Sequence, residues 1–304
     1  MSNAEQSSAS VPNQQCSCPD SQYIYNASAY GFAAELTRPV RHTISTQAGS
    51  VLSADGGQDH SRVHDFKFNS FISVADAHTE VNGSYDPCHD IHTTTASSTL
   101  EKVNVADVLT ADRIVARLTI YSYADDKETS FSITGSHFEN LKIAGHKVEV
   151  KLPTSTFTGY ETFSGAAGAG AWMVGTELAK LKADALKALE DTYHALRGMT
   201  GLIEGWKKPD PNRSAYLLSP ANQATLQDHE NAKVEKNDWV SAGIQQFGNV
   251  FCIPKFGVIR LAELVVHKHF RSLTMFRVHM CSGTTGSGSG GTTSGSGGGK
   301  PGGN

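Results

Sequence analysis

A dominant period of two in apolar residues over a dozen positions leaves a chain few ways to fold, and the stretch 112–124, DRIVARLTIYSYA, has it. Ile114, Ala116, Leu118, Ile120, Ser122 and Ala124 share one parity, while Arg113, Arg117, Thr119, Tyr121 and Tyr123 share the other. A period of two puts the first set on one face of an extended chain and the second on the opposite face, so the segment predicts a half-buried β-strand. HDFKFNSFISVADAHTEV, residues 64–81, carries the same signal with its phase broken: Phe66, Phe68, Ile72 and Val74 hold one parity, and Phe71, Ala75 and Ala77 the other. A β-bulge, or a strand covered on both faces, produces such a break.

The pattern recurs. In FGVIRLAELVVHKHFRSLTMFRVHM two β-rich runs, near 258–266 and 273–280, flank the polar HKHFRS and predict a hairpin with a longer loop. YIYNASAYGFAAEL, TTTASSTLEKVNV and TSFSITG predict further strands. In FENLKIAGHKVEV, Leu141 and Ile143 precede Gly145 and Val148 and Val150 follow it, which reads as a hairpin with His146 in its loop and Glu139 and Glu149 facing solvent. Short spacing between turn signals predicts a mainly β fold, an antiparallel sandwich or barrel-like domain. The 29 glycines and a charged share of 18% suit such a turn-rich protein.

One segment has a different period. TELAKLKADALKALEDTYHALRG places Leu178, Leu181, Ala185, Leu189, Tyr193 and Leu196 at helical spacing, with Thr176 as N-cap and Gly198 as stop, and predicts an amphipathic helix of about six turns. The chain therefore divides into a disordered leader (1–20), a discontinuous β domain (21–155 plus 240–281), a helical and loop insertion (156–239) and a flexible Gly/Ser-rich tail (282–304). The two ends lack the apolar residues whose burial would offset their ordering entropy.

The formal charge of −4 supplies no positive field for a phosphate backbone, so nucleic acid is not an expected partner. Thirteen histidines introduce a pH sensitivity. The N-terminus has neither the basic start nor the apolar centre of a secretory signal, and no stretch predicts a membrane-spanning helix. Five cysteines, Cys16, Cys18, Cys88, Cys252 and Cys281, form no CxxC pair; Cys252 in NVFCIP reads as a small core residue.

Metal-capable side chains concentrate in PCHDIH, with Cys88, His89, Asp90 and His92, although the odd spacing of the two histidines sends them to opposite faces of a strand. His267 and His269, two apart, would share a face. His60 and His64 have helical ligand spacing in surroundings that read as strand. GAAGAG at 165–170 precedes the helix but lacks the GK[ST] of a phosphate loop, and the acidic turns SADGGQDH and YADDKE lack a calcium-loop pattern. No motif assigns a nucleophile, base or orienting residue.

Taken together, NASAYGFAAEL, VADVLTADRIVARLTIYSYAD, FENLKIAGHKVEVKL and IPKFGVIRLAEL resemble the choice-of-anchor P family of bacterial proteins, over about 23–152 and 248–281. The resemblance implies a β-rich module joined to varied cell-surface anchors, with no catalytic residues to carry over. Two departures, no secretion signal and a Gly/Ser tail without a sorting motif, leave a non-exported, cytoplasmic relative as the other option. The expected function is a non-catalytic structural or binding module of the bacterial cell surface. The alternatives are an enzyme or transition-metal-binding protein whose histidines are brought together by the fold, and a self-assembling protein whose edge strands, such as 258–266, pair between chains.

Overall fold

The computed structural model describes residues 23–36, 42–123, 129–152, 181–193, 196, 216–218, 223–226, 242–267, 270–280 and 289–294. They form two antiparallel sheets packed face to face, with one helix on an outer face; neither sheet closes into a barrel. The centre of the structure is a meander of four long strands, β3 (Gly57–Phe68), β4 (Ile72–Asp86), β5 (Ile91–Val105) and β6 (Leu109–Tyr123). Beyond β6 the same sheet continues through β7 (Ser130–Ser132), β8 (His137–Glu139), β9 (Lys142–Ile143), β10 (His146–Lys151) and β12 (Gln223–Leu226). The second sheet runs in the order β13 (Gln245–Phe247), β14 (Val250–Ile253), β15 (Gly257–His267), β16 (Phe270–Met280), β17 (Ser289–Ser294), β1 (Ala27–Leu36), β2 (His42–Val51), and β11 (Tyr216–Leu218) also pairs with β15.

The alternation in β6 is realised as expected: Ile114, Ala116, Leu118 and Ile120 are buried in the main core, while Arg113 and Arg117 are exposed. The broken phase at 64–81 has two causes. Residues 69–71 form a turn between β3 and β4, with Asn69 at φ 50°, so the segment is two strands and not one. In addition, all four meander strands take up one extra residue at the same level. Core-facing positions there are three apart instead of two: Val63 and Phe66 on β3, Val74 and Ala77 on β4, Leu100 and Val103 on β5, Ala111 and Ile114 on β6. The cross-strand pairs Val63↔Ala77, Ala77↔Leu100 and Leu100↔Ile114 fall on one side of this crease, and Phe66↔Val74 and Val103↔Ala111 on the other. The slip is shared, so the register never shifts, and both ends of each strand still bury their apolar residues. Asp65 and Lys102, at φ 51° and 50°, carry the local backbone reversal.

The main core is closed from the second sheet by Phe32, Ile44, Phe251, Ile259, Leu261, Leu273 and Phe276. Between the layers an apolar cavity of ≈ 20 Å³ is lined by residues such as Phe32, Ile72, Val105, Phe276 and Met280. That is roughly one water's worth of space in a setting that offers a water no partner, so it is a packing defect and not a ligand site.

Several expectations are corrected. The helix, α1, spans Ala183–Thr192, about three turns and not six; Lys182 is its N-cap without a side-chain cap bond, and Tyr193 turns extended at φ −119°. Leu186, Tyr193 and Leu196 cover Val250, Cys252 and Val258, so Cys252 is a core residue as read. Thr176, Gly198 and the GAAGAG stretch lie outside the described residues. Inside the expected insertion, β11 and β12 each add to a different sheet. Within the segment read as a flexible tail, β17 is paired on both sides, because main-chain groups can complete a ladder whatever the side chains are. Residues 258–266 are no edge, since β15 is flanked by β16 along its whole length and by β14 and β11 on the other side. His146 is the first residue of β10, paired with Ile143; the loop is only Ala144–Gly145, both at positive φ, the geometry a two-residue hairpin turn requires.

Gly83 shows how closely the layers approach. A Cβ there would lie 2.7 Å from Tyr25 Cδ1 and 2.8 Å from Leu52 Cδ2. Gly83→Val is expected to push the Tyr25 ring out of its seat and cost about 1–3 kcal/mol, measured by urea unfolding. A variant as stable as the parent would show that Tyr25 is not held there.

Candidate functional site

The densest chemistry lies at the β4–β5 turn, where the sequence placed Cys88, His89 and His92. Inward-facing positions of β4 and β5 continue past the apolar core to Tyr85 and His92, which are cross-strand partners. The extended segment before β1 brings Tyr23 and Tyr25 against them. The His92 ring stacks on Tyr23 at 3.9 Å and 6°, and on Tyr85 at 4.5 Å and 27°. Tyr25 meets it edge-on, its hydroxyl 2.9 Å from His92 Nδ1. The Tyr85 hydroxyl donates to Asp90 Oδ1 at 2.8 Å.

Burial lowers the His92 pKa despite the opposing pull of Asp90, so the imidazole is neutral at physiological pH and Nδ1 can accept from the phenol. Burial also raises the Tyr23 pKa, against hydrogen bonds with Ser122 and Thr94. The result is a closed aromatic stack that pins the chain before β1 over the end of the core.

The other two candidates point elsewhere. His89 Nδ1 lies 2.6 Å from Asp86 Oδ2 at the surface, and this contact together with the Cys88 amide holds the Asp86 carboxyl below its usual range. Cys88 is exposed. PCHDIH thus supplies one ring to the stack and one to a surface ion pair, and does not gather its ligand types on a common centre. Among the described residues no three His, Cys, Asp or Glu side chains are arranged to hold a metal ion. The His267 backbone pairs with Phe270 at the end of β15; its side chain and His269 lie outside the described residues.

On the outer face of the nine-stranded sheet the crease has an ionic counterpart. Where four strands slip together, neighbouring residues such as Glu101 and Lys102 are both exposed. Asp76 is contacted by Arg62 Nε at 2.8 Å and His64 Nδ1 at 2.6 Å, and this carboxylate raises the Arg62 pKa. Lys102 Nζ lies 2.7 Å from Asp112, whose other oxygen accepts from Asn140 at 2.6 Å. These two partners, Lys102 first, depress the Asp112 pKa. Glu139 sits 3.0 Å from His137 Nε2 and 4.0 Å from Arg113, and Glu149 is 3.6 Å from Lys151. Along the strands beside this belt the face continues with Ser97, Thr99 and Thr95, the last bonded to Thr119 at 3.2 Å.

A third cluster lies on the outer face of the other sheet. Arg260 and Arg277 are cross-strand partners, an arrangement of like charges that repels. Ala262 at φ 50° breaks the alternation, so Glu263, three residues on, returns to the face of Arg260. The nearly buried Glu263 then reaches Arg260 Nη1 at 3.3 Å and Arg277 Nε at 3.0 Å. Next along β16, His279 is pushed down to about 4, chiefly by burial and then by Arg260 and Arg277.

Residues 23–267 match a family model described as a domain of unknown function, DUF8256. That is most of the chain. The protein belongs to the DUF8256 family. No curated protein and no solved structure matches it. The match begins at Tyr23, the first ring of the His92 stack, and includes the whole meander.

In this DUF8256 protein, sequence reading missed both the stack and the Glu263 cluster. Tyr25 and His92 are 67 residues apart, and only the topology joins them. Glu263 was visible as a lone acid in an apolar run, GVIRLAELVV, a signal that a buried ion pair would answer.

Because the His279 pKa is about 4 when folded and near its ordinary 6.5 when unfolded, the unfolded chain binds the extra proton between these values. This contribution to stability is complete above pH 6.5 and is lost as pH falls towards 4. His279→Gln is expected to flatten the decline of Tm across that window relative to the parent, read by calorimetry. Parallel curves would contradict the burial of a neutral imidazole.

Proposed function

We propose that this protein is a non-catalytic structural or binding β module, and that it works at the bacterial cell surface, as the resemblance to the choice-of-anchor P family implies. The observation that carries this reading is how the acidic groups are used. Asp76, Asp86, Asp112, Glu139 and Glu263 are each held by a basic side chain, most of them across strands. A general base needs a carboxylate or imidazole aimed at a substrate proton. Here the ionic groups tie neighbouring strands together.

The binding surface in this reading is the outer face of the nine-stranded sheet. It is broad, lined by Thr, Ser and balanced charge pairs, and exposed or half-exposed at Glu80, Ser97, Thr99, Glu101, Arg113 and Arg117. Among the described residues no helix is long and apolar enough to cross a membrane.

The competing reading is a transition-metal protein, and elemental analysis of the purified full chain separates the two. Substoichiometric zinc, copper, iron and nickel, with no change in Tm on chelation, is the expected result. A stoichiometric metal that disappears in His89→Ala or His267→Ala would displace the structural reading.

A further inference from the structure

The eight-stranded sheet consists of two pieces joined by a single strand. β13 to β16 form one piece and β1 with β2 the other, and β17 lies between them, antiparallel to both β16 and β1. It pairs with Ala27–Tyr30 on one side and with residues 271–277 on the other. Both walls of this slot are themselves firmly built: Ala27 and Ala29 are buried on β1, and Leu273, Thr274, Met275 and Phe276 on β16.

The strand that fills the slot is the opposite kind of sequence, Ser-Gly-Gly-Thr-Thr-Ser. Glycine and serine are poor strand formers, and this strand is laddered on two sides by main-chain pairing. A ladder of that kind does not distinguish between identical segments, whichever chain supplies them. Its register is also weakly fixed. The pairing with β16 already shifts between Thr274 and Phe276, and the Thr-Thr pair of β17 recurs eight residues earlier at 284–285. Gly-rich strands are prone to slippage and exchange.

We propose that β17 is an exchangeable strand: the slot between β1 and β16 accepts Ser289–Ser294 of a second copy in the same antiparallel register, and copies assemble by swapping it. The inference is independent of the binding role proposed above. It also relocates self-association from the 258–266 region to a slot within the same sheet. The first β16–β17 pair is Arg277↔Ser289, so a short Gly/Ser-rich connection keeps the chain's own strand at high local concentration. A short tether sets that concentration at about millimolar, so a monomer dominates at low concentration and exchange grows as the protein is concentrated.

The test uses full-length chains in which Cys16, Cys18, Cys88 and Cys281 are replaced by Ser and Cys252 by Ala. Ala29 and Thr292 are direct cross-strand partners. A chain carrying both Ala29→Cys and Thr292→Cys should cross-link within itself on mild oxidation. Two single variants, Ala29→Cys and Thr292→Cys, mixed at high concentration, should give a covalent heterodimer at least several-fold more abundant than either homodimer. Dilution before oxidation, or Gly291→Pro in the Thr292→Cys chain, should suppress it. A heterodimer no more abundant than the homodimers, alongside an intact internal cross-link, would show that the slot is closed to other copies. Absence of the internal cross-link would remove β17 from the slot altogether. Either result overturns the proposal.

Discussion

Four long strands, β3 to β6, keep one register from end to end while each absorbs an extra residue at the same level, and the burial on both sides of the crease depends on that coincidence. A slip in one strand alone would carry its apolar set to the solvent face. Because all four slip together, Ala77, Leu100 and Ile114 on one side of the crease and Val74, Val103 and Ala111 on the other all meet the second sheet. Fully burying a Val, Leu or Ile side chain contributes about 1.5–3 kcal/mol, so a core drawn from every strand makes this register the dominant constraint.

The charges follow from the same geometry. The crease turns consecutive residues outward, and the molecule pairs charged side chains across strands through Asp76, Asp112 and Glu139. The pairs of Asp112 and Glu139 are open to solvent and largely screened, so they set strand order more than they stabilise, whereas Asp76 is buried. The Glu263 cluster is different, since it lies nearly buried between two arginines and beside a desolvated His279. Removing Glu263 would leave two opposed guanidinium groups with their counter-charge gone. Acids spent on holding strands together are the common thread of both faces, and they underlie the reading of a structural or binding module.

The sequence made some of this legible and hid the rest for physical reasons. Alternation in 112–124 placed β6 and its faces, because a half-buried strand must alternate. The phase break at 64–81 was visible, but a single strand's sequence does not reveal that its neighbours slip at the same level. The helix was overextended: Leu181 fits the period, whereas α1 begins at Ala183. The 282–304 tail looked incapable of structure because side-chain arguments do not register main-chain pairing on two sides, as in β17. At the site, Cys88, His89 and His92 stood out in the sequence as a chemical concentration. Their partners, Tyr23, Tyr25 and Asp86, were not foreseen, and these turn the group into a stack and an ion pair.

The central claim is that the β3–β6 meander is the frame on which the second sheet assembles, and residue-resolved native-state hydrogen exchange tests it most directly. Amides of Ala77, Val81, Ala96, Leu100, Ala116 and Leu118 should exchange only through global unfolding, at the free energy given by denaturant titration. Those of β13, β14 and β17 should open at lower free energies. If β4–β6 amides exchanged through openings easier than those of β15 and β16, the frame would lie in the other sheet and the account would be wrong.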